Sequence, residues 1–453
     1  MKSALLWIKN LLLSSEKGLR DLVILLIPQA AKAVSGFVTS VLLTRGLGPA
    51  GLGGYALVMS LTEMVTSLSD LGIGQTALRY ASLAVSQGDT EGQSAVLRWA
   101  FRLRMLLVIV MVTALFVAAP FLEMYVWHID GLSSLIRMSL FLSFFGVLAS
   151  VPAIYFQSTR KFGMYTALVS GQSLLVLLGI SILAYLQLWS VGIVIIVSIA
   201  AGAVTAFLFL ALVPSAIWVP RARRGDLSRI GWRQGVRVPS VAVGSEKLDL
   251  TSASRFALYL LLSTFVVMVT LKMDIWLMGF FLNERQIGLY NAAARLALPL
   301  GMLLNAVTLA LWPRMSALTR MEEVRSMVGK TFTGSVVLAG LALVYAALVP
   351  LLAPFLFGAE FAETTRLCQV LSIGYSVAIL GNPVSVIGYS LGLARFYWIT
   401  NLVQMLLVVI LLVTLLPRLG ALGAALTFVA NALVGNIING YAIWTKVRRL
   451  QES

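Results

Sequence analysis

A single cysteine, Cys368, and a single histidine, His128, are all the thiol and imidazole this chain has. One thiol excludes an intramolecular disulfide and any thiolate metal cluster. His128 falls in a predicted short loop beside Glu123 and Asp130, where it reads as a solvated loop residue rather than a ligand or base. Charge is scarce too. Charged residues make up 11% of the chain, with 18 acidic against 34 basic, whereas a soluble domain carries roughly a quarter. No metal-ligand cluster is visible, no pair of carboxylates stands in a soluble segment, and the predicted outer loops are short. A membrane polymerase or glycosyltransferase would lack its chemistry here, so the chain is not read as an enzyme and no cofactor is expected. Period-two alternation is missing from the apolar stretches, which excludes a membrane barrel.

Apolar residues fill the space the others leave, at 59% of the 453 positions. Their runs repeatedly reach the ~20 residues that cross a ~30 Å hydrocarbon layer. Candidate spans cover 22–44, 53–74, 104–122, 133–157, 163–186, 190–213, 256–281, 287–312, 331–357, 367–392, 396–416 and 420–444. About twelve transmembrane helices are therefore expected. Residues 1–21, in which Lys2 and Lys9 flank an apolar run with no cleavage site after it, read as an interfacial segment. The spans at 22–213 and 256–444 form two sets of six, joined by a basic linker at 214–255 that carries Arg221, Arg223, Arg224, Arg229, Arg233 and Arg237. Residues 445–453 form a tail. Trp7, Trp127, Trp189, Trp218 and Trp444 lie near predicted boundaries, where they read as interfacial anchors.

The basic residues fix orientation, because they are retained on the cytoplasmic side of a span. With both termini inside, the inner segments hold 26 of the 34. The outer segments hold Arg45, Arg137, Arg285, Arg366 and Arg418, and Lys32, Lys272 and Arg295 fall within spans. The formal charge of +16 is thus spread over alternate loops, which accounts for it without nucleic acid.

Sliding the first half over the second by 235 residues places Gly53 on Gly288, Tyr55 on Tyr290, Asp70 on Asn305 and Arg79 on Arg314. An even number of spans per half makes this a parallel repeat, two six-helix lobes around a central cavity whose access can alternate by rocking.

Several strings occur in order along this duplicated chain: Thr44-Arg45-Gly46-Leu47-Gly48-Pro49 with Gly53 and Tyr55, Asp70-Leu71-Gly72-Ile73-Gly74, Ile287 to Arg295, Phe357-Gly358, and Leu416 to Ala425. They resemble the multidrug/oligosaccharidyl-lipid/polysaccharide exporter superfamily, and within it the polysaccharide and O-antigen flippase branch. The resemblance implies two lobes in a V, open to one side at a time, with a lipid-linked glycan carried between them through an inner membrane. Membrane lipids and polysaccharide assembly proteins are the partners it implies. A drug or cation exporter of the same superfamily, or a lipid II type flippase, is the alternative. Lipid II flippases usually have two further spans, which are not evident here.

Ionisable groups at membrane depth are costly unless they face a wet cavity or a partner. Lys32, Glu63, Asp70, Lys272, Asp274 and Arg295 are the candidates. In the first span Gln29, Lys32, Gly36 and Ser40 form a polar stripe. Ser60, Glu63, Ser67 and Asp70 do so in the second, and Asn291, Arg295, Met302 and Asn305 in the eighth. Lys272 and Asp274 project roughly 200° apart, so one of them should meet a neighbouring helix. Lys32, Arg295 and Lys272, with Gln29 and Asn291, are read as the cargo site, since a polyprenyl diphosphate is an anion that Arg can hold bidentately. Glu63, Asp70 and Asp274 are the candidates for a coupling proton or sodium ion, with the membrane potential as a further source of drive. The bland alternative for all six is pairing that locks helices together.

Overall fold

The computed structural model describes residues 16–218, 250–316, 321–390 and 394–452. Most of the interfacial segment, the basic linker from 219 to 249, and the side chain of Gln29 lie outside the described residues. What is described is helical, with no strand. In order the helices are α1 (Glu16–Leu68), α2 (Ile73–Ser86), α3 (Thr90–Phe121), α4 (Leu132–Ser158), α5 (Phe162–Leu186), α6 (Val191–Leu212) and the single turn α7 (Ser215–Trp218). After the linker come α8 (Leu250–Phe281), α9 (Glu284–Ser316), α10 (Met321–Phe357), α11 (Thr364–Ser390), α12 (Ala394–Leu419) and α13 (Ala421–Glu452). In hydrocarbon every backbone N–H and C=O must be paired within its own segment, which is why so apolar a chain becomes a set of long helices.

Two breaks shape the start of the first half. Gly48 interrupts α1 at φ 64, ψ 177, a conformation open to glycine and strained for any side chain, so α1 is two arms folded back at an elbow. Further on, the second arm ends at Leu68, and α2 leaves it at 41°. The break is made by Leu71 at φ 34 and Gly72 at φ 82. Counting α1 as two arms, the second continued by α2, each half has six crossings in element order. On the described residues nine helices are long and apolar enough to cross a membrane by themselves, and the bent pair adds a tenth. The outward faces of α3, α5 and α10 carry exposed Leu106, Val117, Leu178, Ile182, Leu351 and Phe355, as befits helices solvated by lipid.

The packing differs between the two ends. At the end holding the turns near Gly48, His128, Gln187, Asn283, Gly358 and Gly420, called here the closed end, one hydrophobic core runs through both halves. Leu52, Tyr55, Leu57 and Val58 share it with Ile287, Tyr290, Ala293 and Leu296. Toward the linker end the core divides. Ile73, Ala77, Leu97, Ala100, Ile154, Phe156 and Phe209 form a cluster wholly within the first half, while Leu300, Ala339, Ala342 and Ile379 form one within the second.

The repeat found in the sequence is a contact in space. A Cβ on Gly53 would overlap the carbonyl oxygen of Glu284, and one on Gly288 would overlap that of Pro49. Pro49 and Glu284 are 235 apart, as are Gly53 and Gly288. Each half therefore presents the same surface to the other, the reciprocity of a twofold contact, with the pseudo-dyad passing between the glycines. Small residues let membrane helices approach backbone to backbone where no hydrophobic drive between them exists.

Candidate functional site

Below the glycine crossing the facing helices are the two arms of α1 from the first half and α8 and α9 from the second. Arg295 on α9 reaches across. Its Nη1 donates to Ser40 Oγ at 3.0 Å, its Nε donates to Asn291 Oδ1 at 2.8 Å, and the guanidinium carbon stands 5.7 Å from the ring centroid of Tyr55. All three partners are neutral. Arg295 is thus held in place by hydrogen bonds and a cation–π contact with its charge uncompensated by a carboxylate among them. Lys32, more than two helical turns from Ser40 on the first arm, is exposed and has no acidic partner among the described residues.

Two polar contacts join α8 to the second arm. Trp276 Nε1 donates to Ser60 Oγ at 3.0 Å, and one turn toward the linker end Lys272 Nζ is ion-paired with Glu63 Oε2. The Lys272 side chain is 27% exposed and that of Glu63 54%. Asp274 faces elsewhere, as the angular offset from Lys272 requires: its Oδ2 accepts from Tyr290 Oη at 2.8 Å within the second half. Of the expected cargo residues, the structure brings Arg295 and Asn291 together at the first-arm contact and sets Lys272 against Glu63. Lys32 stands apart from both.

Asp70 requires a correction. Seven residues after Glu63 it is expected on the same helix face, but the helix stops at Leu68, so Asp70 lies in the break instead. There its Oδ1 accepts the backbone N–H of Gly74 at 2.8 Å and pairs with Arg104 Nη1 at 3.3 Å. Hydropathy places Arg104 at the edge of an inner loop. In fact α3 begins at Thr90, well before the span expected at 104, and Arg104 is buried inside the first half. The pair holds the bend of the second crossing rather than facing the other half.

The tryptophans divide in a way hydropathy does not reveal. Trp127 is no interfacial anchor: it is 6% exposed, covers Gly279, and its Nε1 donates to the carbonyl of Trp276 at 3.2 Å, a contact between halves. Trp189 packs on Gly46 within the first half, and Trp218 meets Phe101 edge-on at 5.1 Å between centroids. Trp444 is exposed beside Tyr441, as an anchor should be. At the tip of the closed end Arg45 Nε donates to the carbonyl of Leu356 at 2.6 Å and its Nη2 to that of Phe355, so a cation of one half caps the C-terminus of α10 in the other. Trp276 and Arg45 carried no signal of this kind beyond the glycine-rich string that contains Arg45.

Among the described residues, the hydrogen bonds and ion pairs between halves all lie from this tip down to the level of Lys272 and Glu63. None links the halves nearer the linker end. The arrangement is a wedge, sealed at one end, with polar groups at its apex and two separate cores beyond.

The polysaccharide biosynthesis protein family matches residues 19–319. No curated protein matches the chain. Among solved structures, it is similar to an inward-facing multidrug resistance MATE family transporter of the MOP superfamily, with a TM-score of 0.68 and 16% identity over 93% of this chain and 96% of that one. The inward closed conformation of the lipid II flippase MurJ gives a TM-score of 0.68 at 13% identity, over 93% of this chain and 87% of that one. A mutant of the Vibrio cholerae MATE transporter VcmN gives 0.58 at 14% identity, over 95% and 96%. These likenesses show a shared fold, that of multi-pass membrane transporters and flippases.

Proposed function

The chain belongs to the polysaccharide biosynthesis protein family, and from that premise we propose that it flips a polyprenyl-diphosphate-linked oligosaccharide across the cytoplasmic membrane by alternating access between its two halves. The linker end is the cytoplasmic end in this reading, since most of the basic residues lie on that side. Cargo enters the wedge from there, with its sugars and diphosphate between the halves and its polyprenyl chain in the bilayer. The observation that carries the reading is Arg295, a cation at the apex whose hydrogen-bond partners are neutral. An anionic headgroup that has left water is stabilised by such a group, and a guanidinium can offer two parallel N–H donors to one phosphate. Lys32 adds charge on the path to it. A cationic drug would meet repulsion from the same two residues, which favours the flippase over the drug exporter. Drive comes from a proton, a sodium ion or the membrane potential, and Glu63 is the most accessible of the three candidate carboxylates.

The test is leaflet transfer in proteoliposomes holding a fluorescent or radiolabelled lipid-linked oligosaccharide, with and without ion gradients. Transfer should require the protein and should fall about tenfold or more in Arg295→Ala, given the ~1.5–3 kcal/mol of a hydrogen bond to a charged group. Unimpaired transfer by Arg295→Ala together with Lys32→Ala would remove the proposal.

A further inference from the structure

Among the described residues there are three ion pairs, and they are not alike. Asp70–Arg104 is internal to the first half, with the Arg104 side chain 8% exposed and the carboxylate also bound to a backbone N–H. Arg285–Glu363 lies within the second half, with both side chains more than half exposed. Lys272–Glu63 alone joins the two halves, and it does so at the last level before they part. One turn nearer the closed end, Trp276 and Ser60 make a second bond between the same two helices, and Ser60 Oγ also donates to the carbonyl of Leu57 at 2.6 Å, so that contact is anchored on both sides. Among the described residues, neither member of the ion pair makes a further side-chain hydrogen bond, although Arg295 lies within electrostatic reach of Glu63 and Asp274 within that of Lys272. Glu63 is the more exposed partner and sits at the mouth of the wedge.

We infer that Glu63 is an intramolecular stand-in for the anionic cargo: it neutralises Lys272 in the empty carrier and gives Lys272 up to the cargo's phosphate when cargo binds. This rests on the reading of the cargo as a lipid diphosphate. The physical reason is asymmetry between loaded and empty cycles. A carrier that must return empty would otherwise move an uncompensated ammonium through the middle of the bilayer, where unpaired charge is disfavoured. Cargo neutralises Lys272 on the outward journey, and Glu63 does so on the return. Arg295, with neutral partners, is the permanent attractor, and Lys272 is the cation held in reserve. Two different kinds of cation are thus built into one site: Glu63 pairs directly with Lys272 and reaches Arg295 only through space, while the hydrogen bonds of Arg295 go to neutral groups.

The test is binding of a short-chain isoprenyl diphosphate to the purified full-length protein in detergent, with the corresponding isoprenol as an uncharged control. Glu63→Gln should tighten diphosphate binding about fivefold, the size of a partly exposed ion pair, and leave isoprenol unchanged. Lys272→Ala should weaken diphosphate binding severalfold in the native background and abolish the gain in the Glu63→Gln background, a sign of direct competition that general loosening of the helices would not give. Should Glu63→Gln fold poorly, Glu63→Ala, which also removes the carboxylate, carries the same expectation. An unchanged or weakened diphosphate affinity in the Glu63 variants overturns the stand-in role. If diphosphate affinity is instead indifferent to Arg295→Ala, it is the cargo reading that fails, so the two failures are distinguishable.

Discussion

At the closed end the halves meet backbone to backbone across Gly53 and Gly288, with Trp127 inserted over Gly279 and Arg45 capping α10. At the linker end each half keeps its own core. The contrast teaches where a transporter of this design stores its choice of conformation. The cores within each half are ordinary packed interiors and have no reason to change. The seal between halves joins glycines and a few polar bonds to a shared hydrophobic core, so parting it divides that core while leaving the two at the linker end whole. Rigid halves that meet along one seal are what rocking requires.

The seal can be broken from within. Gly288→Leu places a side chain where the Pro49 carbonyl already is, and overpacking of this kind costs about 1–3 kcal/mol, or roughly five- to hundredfold in the population of the closed state. Aqueous thiol labelling of a cysteine at Ala292, fully buried in the sealed form, should rise from slight to nearly complete. Gly334→Leu, where nothing lies within 4 Å, is the matched control and should change nothing. Because the crossing is reciprocal, Gly53→Ala and Gly288→Ala should open the seal to a similar extent. Unequal responses would show that the two halves are not equivalent there.

The opposite intervention spares the seal and attacks one core. Asp70→Ala leaves Arg104 charged and buried at the bend, an expected loss of about 2 kcal/mol once the 35% exposure of the Asp70 side chain is allowed for. Thermal unfolding should register it, while labelling at Ala292 should not move. A smaller effect is expected from Arg45→Ala, about 1 kcal/mol for a partly exposed cation on a helix C-terminus, seen as a severalfold rise in the same labelling. Arg45→Lys, which keeps the charge but not the fork of donors, should fall between.

How far the sequence leads depends on which forces are in play. Spans and their grouping into six and six follow from hydrophobicity, which is local, and the structure has that architecture; the inner placement of basic residues is a reading from charge alone. The pairing of Gly53 with Gly288 is visible in the sequence as similarity. That the two touch is not, because a repeat says nothing of where its axis passes. Asp70 escapes a reading by periodicity for a definite reason: the helical pattern continues through Leu71 and Gly72, whose positive φ values end the helix. Arg104 is hidden because α3 does not begin where its apolar run begins; Asp89 starts it earlier by accepting the N–H of Gly92. Trp127 needs the tertiary fold, since boundary position alone cannot tell an anchor from a plug. The charged candidates at mid-depth are identifiable one by one, but which of them share a partner depends on how α8 and α9 lie against α1.

Alternation itself is tested most directly by distances at both ends of one molecule. Cys368 is the chain's sole cysteine, so a cysteine-free background needs one substitution. Spin labels at Ala50 and Asn283 report the closed end, on either side of a cleft of about 680 Å³, and labels at Thr76 and Gly334 report the linker end. In the resting protein the first pair should be close and the second far apart. Turnover with lipid-linked cargo should populate molecules in which the first distance lengthens and the second shortens. Distances that stay fixed, or that change in the same direction at both ends, would contradict alternating access.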